Sequence, residues 1–145
     1  MKIQEKDIYH GSALTQIVEH DEFKALNRAT SKYGHYVINA DRTIHIRHSA
    51  ARRSPWTYTI KEEDCTVITD DITAGKNVFI VLVAGSSTVC ALNQDEIDVL
   101  LDRSGRDPQW LRLDVPRGGS IRVSGSRGSL SRVVPHSVFP AKLFE

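Results

Sequence analysis

Seven consecutive apolar residues, Val78-Phe79-Ile80-Val81-Leu82-Val83-Ala84, form the longest uninterrupted hydrophobic run in a chain of 145 residues, and Gly85 ends it. Side chains alternate across a strand, so a run with no polar position needs cover on both faces. Its β-branched residues favour strand over helix, and its length falls far short of the roughly 20 residues that cross a bilayer. The run predicts a central strand buried inside a layered domain.

The flanking sequence supplies partners for it. Trp56, Tyr58 and Ile60 alternate with Thr57 and Thr59, the pattern of a strand with one apolar face. Tyr36-Val37-Ile38 and Thr43 to His48, separated by Asn39-Ala40-Asp41-Arg42, read as a hairpin. In its second strand Ile44, Ile46 and His48 point one way, and Thr43, His45 and Arg47 the other. Thr88 to Leu92 brings the chain back after Gly85-Ser86-Ser87. Asn93, with Glu96 three residues on, predicts a capped helix with Ile97, Leu100 and Leu101 inside and Gly105 as its stop. Leu111, Leu113 and Val115 mark another half-buried strand, and Ile121 to Val123 and Leu130 to Val134 two short ones. Ser12 reads as the cap of a short N-terminal helix carrying Leu14, Ile17 and Val18, with a second helical turn set from Asp21. Glu62-Glu63-Asp64 reads as a charged turn, Cys65 to Thr69 as a strand, and Asp70 to Asn77 as a polar connection. Val138, Phe139, Leu143 and Phe144 close a tail expected to pack onto the core.

Consecutive hairpins without regular βαβ alternation predict an α+β fold. Its sheet is largely antiparallel or mixed, with one or two N-terminal helices and one mid-chain helix packed on it. The length fits a single globular domain spanning residues 1–145. The charged N-terminal heptapeptide lacks an apolar signal core, and Cys65 and Cys90 are too few for a disulfide framework. Those features place the chain as a soluble protein of the cytoplasm, with no membrane partner and both thiols reduced in the core.

None of GxGxxG, a Walker loop, HExxH, GxSxG or paired CxxC occurs, so no cofactor and no catalytic residue are expected. Partial patterns remain. Tyr9-His10-Gly11-Ser12 resembles the start of some ADP-ribosyltransferase folds, where a His-Gly pair meets the nicotinamide cofactor. The resemblance covers four residues and lacks that family's later strand Tyr or His and its Glu, and a turn with a capping serine accounts for it more simply. Asp7 with Glu22 and Lys24 has the residue types of an Asp…Glu-x-Lys metal nuclease, but the triplet lies in a helical stretch where Glu22 and Lys24 diverge. His45 and His48 are spaced like metal ligands, yet leave a strand on opposite faces, so no metal ligand set is expected.

Charge is the most informative feature. The net +1 divides into +3 over residues 1–53, −7 over 54–102 and +5 over 103–145. Two arginine clusters dominate the basic segments. Arg42, Arg47, Arg52 and Arg53 lead into Trp56, and Arg117, Arg122, Arg127 and Arg132 recur every five residues among glycines and serines. Arginine supplies forked donors to phosphate, glycine allows close backbone approach, and Tyr36, Trp56 and Trp110 offer stacking faces if exposed. The same arginines would serve as wet hairpin faces, and a sequence pI near 7.8 is modest for a nucleic-acid domain. Three functions are carried forward. The first is a non-catalytic accessory module binding nucleic-acid (DNA or RNA) phosphates through Arg42, Arg47, Arg52, Arg53, Trp56, Arg117, Arg122, Arg127 and Arg132. The second is a protein-interaction or homo-oligomerisation module with opposed charged patches. The third is a divalent-metal nuclease or hydrolase using carboxylates among Asp41, Asp70 and Asp71.

Overall fold

The computed structural model describes residues 1–145 and has the expected α+β architecture, with two sheets rather than one. Helix α1 (Glu5–Val18) precedes strands β1 (Leu26–Arg28), β2 (His35–Ile38), β3 (Arg42–Ser49) and β4 (Trp56–Ile60). Helix α2 (Glu62–Thr73), strands β5 (Asn77–Ala84) and β6 (Thr88–Leu92), helix α3 (Gln94–Leu100) and strands β7 (Gln109–Asp114) and β8 (Arg122–Gly125) follow. Two 3-10 turns, His136–Val138 and Ala141–Phe144, end the chain. The large sheet has the order β1-β2-β3-β5-β6 and the small one β4-β7-β8; only the β3–β5 pairing is parallel.

The apolar run is β5, and both its faces are covered. Val78, Ile80, Leu82 and Ala84 point into a cluster shared with α2, α3 and the small sheet. Phe79, Val81 and Val83 point into a second cluster with α1 and the C-terminal tail. β6 divides the same way, with Cys90 and Leu92 on one side and Val89 and Ala91 on the other. Three layers result: α1 with the tail, the five-stranded sheet, then α2 and α3 with the small sheet. Within the small sheet Trp56, Tyr58, Ile60, Leu111, Leu113 and Val123 face inward. Their alternate neighbours Thr57, Thr59, Trp110, Arg112 and Arg122 are exposed.

Several local expectations need correction. The helix predicted to start at Ser12 begins at Glu5, capped by Gln4 and Asp7; Ser12 lies inside it and donates its hydroxyl to the Ile8 carbonyl. Tyr9-His10-Gly11-Ser12 is therefore helix, not the turn with a capping serine expected from the sequence. Phe23 and Leu26 lead into a short edge strand rather than a second helix. Residues 62–73 are helical, not turn and strand. α3 ends at Leu100, before Gly105, and residues 129–134 make only isolated bridges, Ser124 to Ser129 and Ile121 to Val134. Phe139, Leu143 and Phe144 are buried, as the tail's pattern predicts.

Gly125 ties the third layer together. A Cβ there would overlap the Leu100 carbonyl oxygen at the end of α3, and the backbone N–H of Arg127 donates to that same oxygen. Gly125→Ala must push β8 away from α3, and overpacking of this kind costs about 1–3 kcal/mol. Chemical denaturation should show that loss; an unchanged midpoint would mean the strand shifts freely.

Candidate functional site

The sequence-predicted arginines divide between the two sheets. Arg42 lies on the large sheet, bound to Asp41 at 2.6 Å. Arg47, also on β3, donates to Asp64 at 3.0 Å and to the Thr59 carbonyl at 2.9 Å. Arg127 lies beside Asp98, Asp102 and Arg103 near the end of α3, and Arg117 sits in an exposed turn. Trp56 requires correction as a stacking residue: it is 3% exposed, with its indole N–H on the Ala51 carbonyl, because β4 turns that position into the core.

Arg122 and Arg132 do come together, joined by Arg112. The three line one surface cleft of about 390 Å³ with Asp114, Ser124, Ser129 and Ser131. Strand register explains the grouping. Arg112 is opposite Thr57 and Ser124, Asp114 is opposite Arg122, and Trp110 is opposite Thr59. Alternation sends all of these to the outer face, where Trp110 is 41% exposed. The Arg52-Arg53 loop is fastened to the same end of the sheet, because the Ser54 hydroxyl donates to Asp114 at 3.0 Å and accepts from the Val115 N–H at 2.7 Å. Arg52, Arg53, Arg122 and Arg132 enter no intramolecular ion pair, and Arg112 only a long one to Asp114 at 3.7 Å.

Part of the acidic middle segment, in contrast, is neutralised within the fold, while Glu62, Glu63, Asp70, Asp95 and Asp102 stay exposed without an ion pair. Asp64 takes Lys32 and Arg47, Asp71 takes Lys76, and Glu96 takes Lys142. Of the hydrolase carboxylates, Asp41 and Asp70 are exposed and Asp71 is buried. Glu22 and Lys24 lie exposed in the loop after α1, while Asp7 accepts from the Tyr33 hydroxyl at 2.6 Å.

Asp71 belongs to a polar cluster that sequence reasoning missed. His35 and His45 are register partners across the β2–β3 hairpin and face α2. Their Nε2 atoms reach the same Asp71 oxygen, Oδ2, at 2.7 and 2.9 Å, and the rings stack at 4.3 Å between centroids. His35 Nδ1 is 2.8 Å from the Thr30 hydroxyl, and Lys76 donates to the other Asp71 oxygen at 3.1 Å. Burial, and then the neighbouring His35, pull the His45 pKa down to about 4. Burial works to raise that of Asp71, but the Lys76 and His35 hydrogen bonds outweigh it and keep the carboxylate ionised. A cavity of about 20 Å³, room for one water, opens beside His35 and His45 and is rimmed by Lys32, Arg47 and Asp64.

On the other face of β3, His10 of α1 lies 3.1 Å from His48, and its Nδ1 is buried without a partner. Burial, then the charges of His48 and Arg47, lower the His10 pKa to about 4. His45 and His48 thus leave β3 on opposite faces, as alternation requires. Both cysteines are buried, and burial pushes the Cys90 thiol up to about 12, which removes thiolate chemistry at neutral pH. No helix is long and apolar enough to cross a membrane. Comparison with protein-family models, curated proteins and solved structures returns no match to this chain.

Proposed function

We propose that this domain is a non-catalytic module that binds nucleic-acid phosphates on the outer face of its small sheet. The observation that carries the reading is the convergence of Arg112, Arg122 and Arg132 on one cleft, with Trp110 exposed on the same face. Arginines that already satisfy a carboxylate gain little from a phosphate, and most of these have none. Serines along the cleft add neutral donors, and Trp110 offers a base an apolar plane two residues from Arg112. The Arg52-Arg53 loop extends the basic face at the Asp114 end.

The test is fluorescence anisotropy with labelled single-stranded and duplex DNA and RNA at ~50 and ~200 mM salt. If three phosphates are neutralised, duplex DNA affinity should fall about 40-fold across that range, from a log–log slope near −0.9 per phosphate. Arg112→Ala/Arg122→Ala should weaken binding and flatten the slope by about two, while Lys24→Ala, in the exposed loop after α1, should leave both unchanged. Absence of binding at ~50 mM salt would overturn the reading and turn this face toward an acidic protein partner. Unchanged binding by the double variant would overturn it too.

A further inference from the structure

We propose that His35, His45 and Asp71 form a binding site for a single divalent transition-metal cation of the zinc class, with a coordination position open to the adjacent cavity. Three donor atoms, one from each residue, all lie within 4.8 Å of one another, and no other group of three His, Cys, Asp or Glu side chains meets that condition. Both imidazoles aim Nε2 at one point. A carboxylate oxygen occupies it at 2.7 and 2.9 Å, and a cation with bonds of about 2.0–2.1 Å fits between the same three atoms after a small retreat of that carboxylate.

The surroundings have the form of a metal site's outer shell. Ligating histidines are usually held through the other ring nitrogen. Here the Thr30 hydroxyl sits 2.8 Å from His35 Nδ1 and accepts an N–H there as readily as it donates a proton. His35 can therefore move its proton from Nε2 to Nδ1 as the cation arrives; His45 must make the same shift to bind through Nε2, its Nδ1 having no protein partner. Lys76 holds the second Asp71 oxygen and, being half exposed, can withdraw if the carboxylate turns. Lys32 and Arg47 are occupied by Asp64, which limits their repulsion of an incoming charge. Two nitrogens and one oxygen suit zinc or its neighbours, whereas magnesium and calcium prefer oxygen alone. Three protein ligands beside a one-water cavity is the composition of an open site rather than a closed structural one.

Chelator-treated protein titrated with ZnCl₂ in a calorimeter should bind one equivalent. Long-range ¹H–¹⁵N spectra of the imidazoles should then show His35 and His45 changing tautomer, with His10 and His48 unchanged. His45→Gln should lose at least tenfold in affinity, and His48→Gln should bind as the parent does. Because His45→Gln removes a buried contact on which folding depends, the imidazole spectra of the unaltered protein decide the assignment alone. No stoichiometric binding, or tautomer changes confined to His10, His20, His48 or His136, would overturn the proposal.

Discussion

Asp71→Ala is expected to destabilise the domain by about 3–5 kcal/mol at pH 7 in the presence of chelator. The carboxylate is 6% exposed and accepts from both His35 and His45 while binding Lys76. Its removal leaves two buried imidazole N–H groups without an acceptor and Lys76 without its anion, and breaking a buried charged network costs that much. A domain's total stability is ordinarily about 5–15 kcal/mol, so the variant should unfold at markedly lower urea. Asp71→Asn should fall between, because an amide oxygen accepts from the histidines but brings its own N–H₂ to the same crowded site. A loss under ~1 kcal/mol for Asp71→Ala would show that the histidines find water in the neighbouring cavity.

The second large effect is with pH. In metal-free protein, stability should fall steeply as pH drops from about 6.5 toward 4. His10 and His45 both carry folded pKa values near 4, below their ordinary 6.5. The unfolded chain therefore binds more protons in that window, and each such proton contributes up to ~1.4 kcal/mol per pH unit to the slope. The stability these neutral rings represent is complete above pH 6.5 and lost as pH falls through 4. The charges of His48, Arg47 and Lys6 oppose protonation of His10, and only that of Asp7 favours it. Below pH 4 a second loss begins, since Asp7, Asp64, Asp71 and Asp102 have lowered pKa values and must be protonated to unfold. Urea midpoints at half-unit intervals from pH 7.5 down to pH 2.5 test both phases. A flat profile between 6.5 and 4.5 would mean that the histidines gain water before they gain protons.

Helix α2 shows why part of the chain was illegible. Its inward positions are Asp64, Cys65, Ile68 and Asp71, at the spacing of a helix face. Two of them are acidic, so the amphipathic stripe is broken, and Thr66, Val67, Ile68 and Thr69 then read as a strand. The aspartates face inward only because β3 and the β1–β2 loop bring Arg47, His45 and Lys32 to meet them. The feature that hid the helix therefore hid the polar cluster as well. His35 and His45 were within reach, since the turn at Asn39-Ala40-Asp41 sets a register in which they are opposite. Their third partner came from the misread helix. Trp56 failed differently: alternation placed it correctly with Tyr58 and Ile60, and that shared face is the buried one.

Strand alternation, the Asn93–Glu96 cap, the two-sided burial of residues 78–84 and the docking of the tail could all be read from the sequence, because each is set by residues a few positions apart. Only the tertiary structure decided which charges remain unpaired. Asp114 and Ser54 are 60 residues apart in the chain, and His35 and Asp71 are 36 apart. Strand order and helix placement close those separations, and they depend on how whole faces fit together. The same arginine-rich composition would serve a neutralised surface or a phosphate-binding one. In the fold, Asp64, Asp71, Glu96 and Asp98 pair with Lys32, Arg47, Lys76, Lys142 and Arg103, while Arg122 and Arg132 keep no ion-pair partner on the outer face of the small sheet.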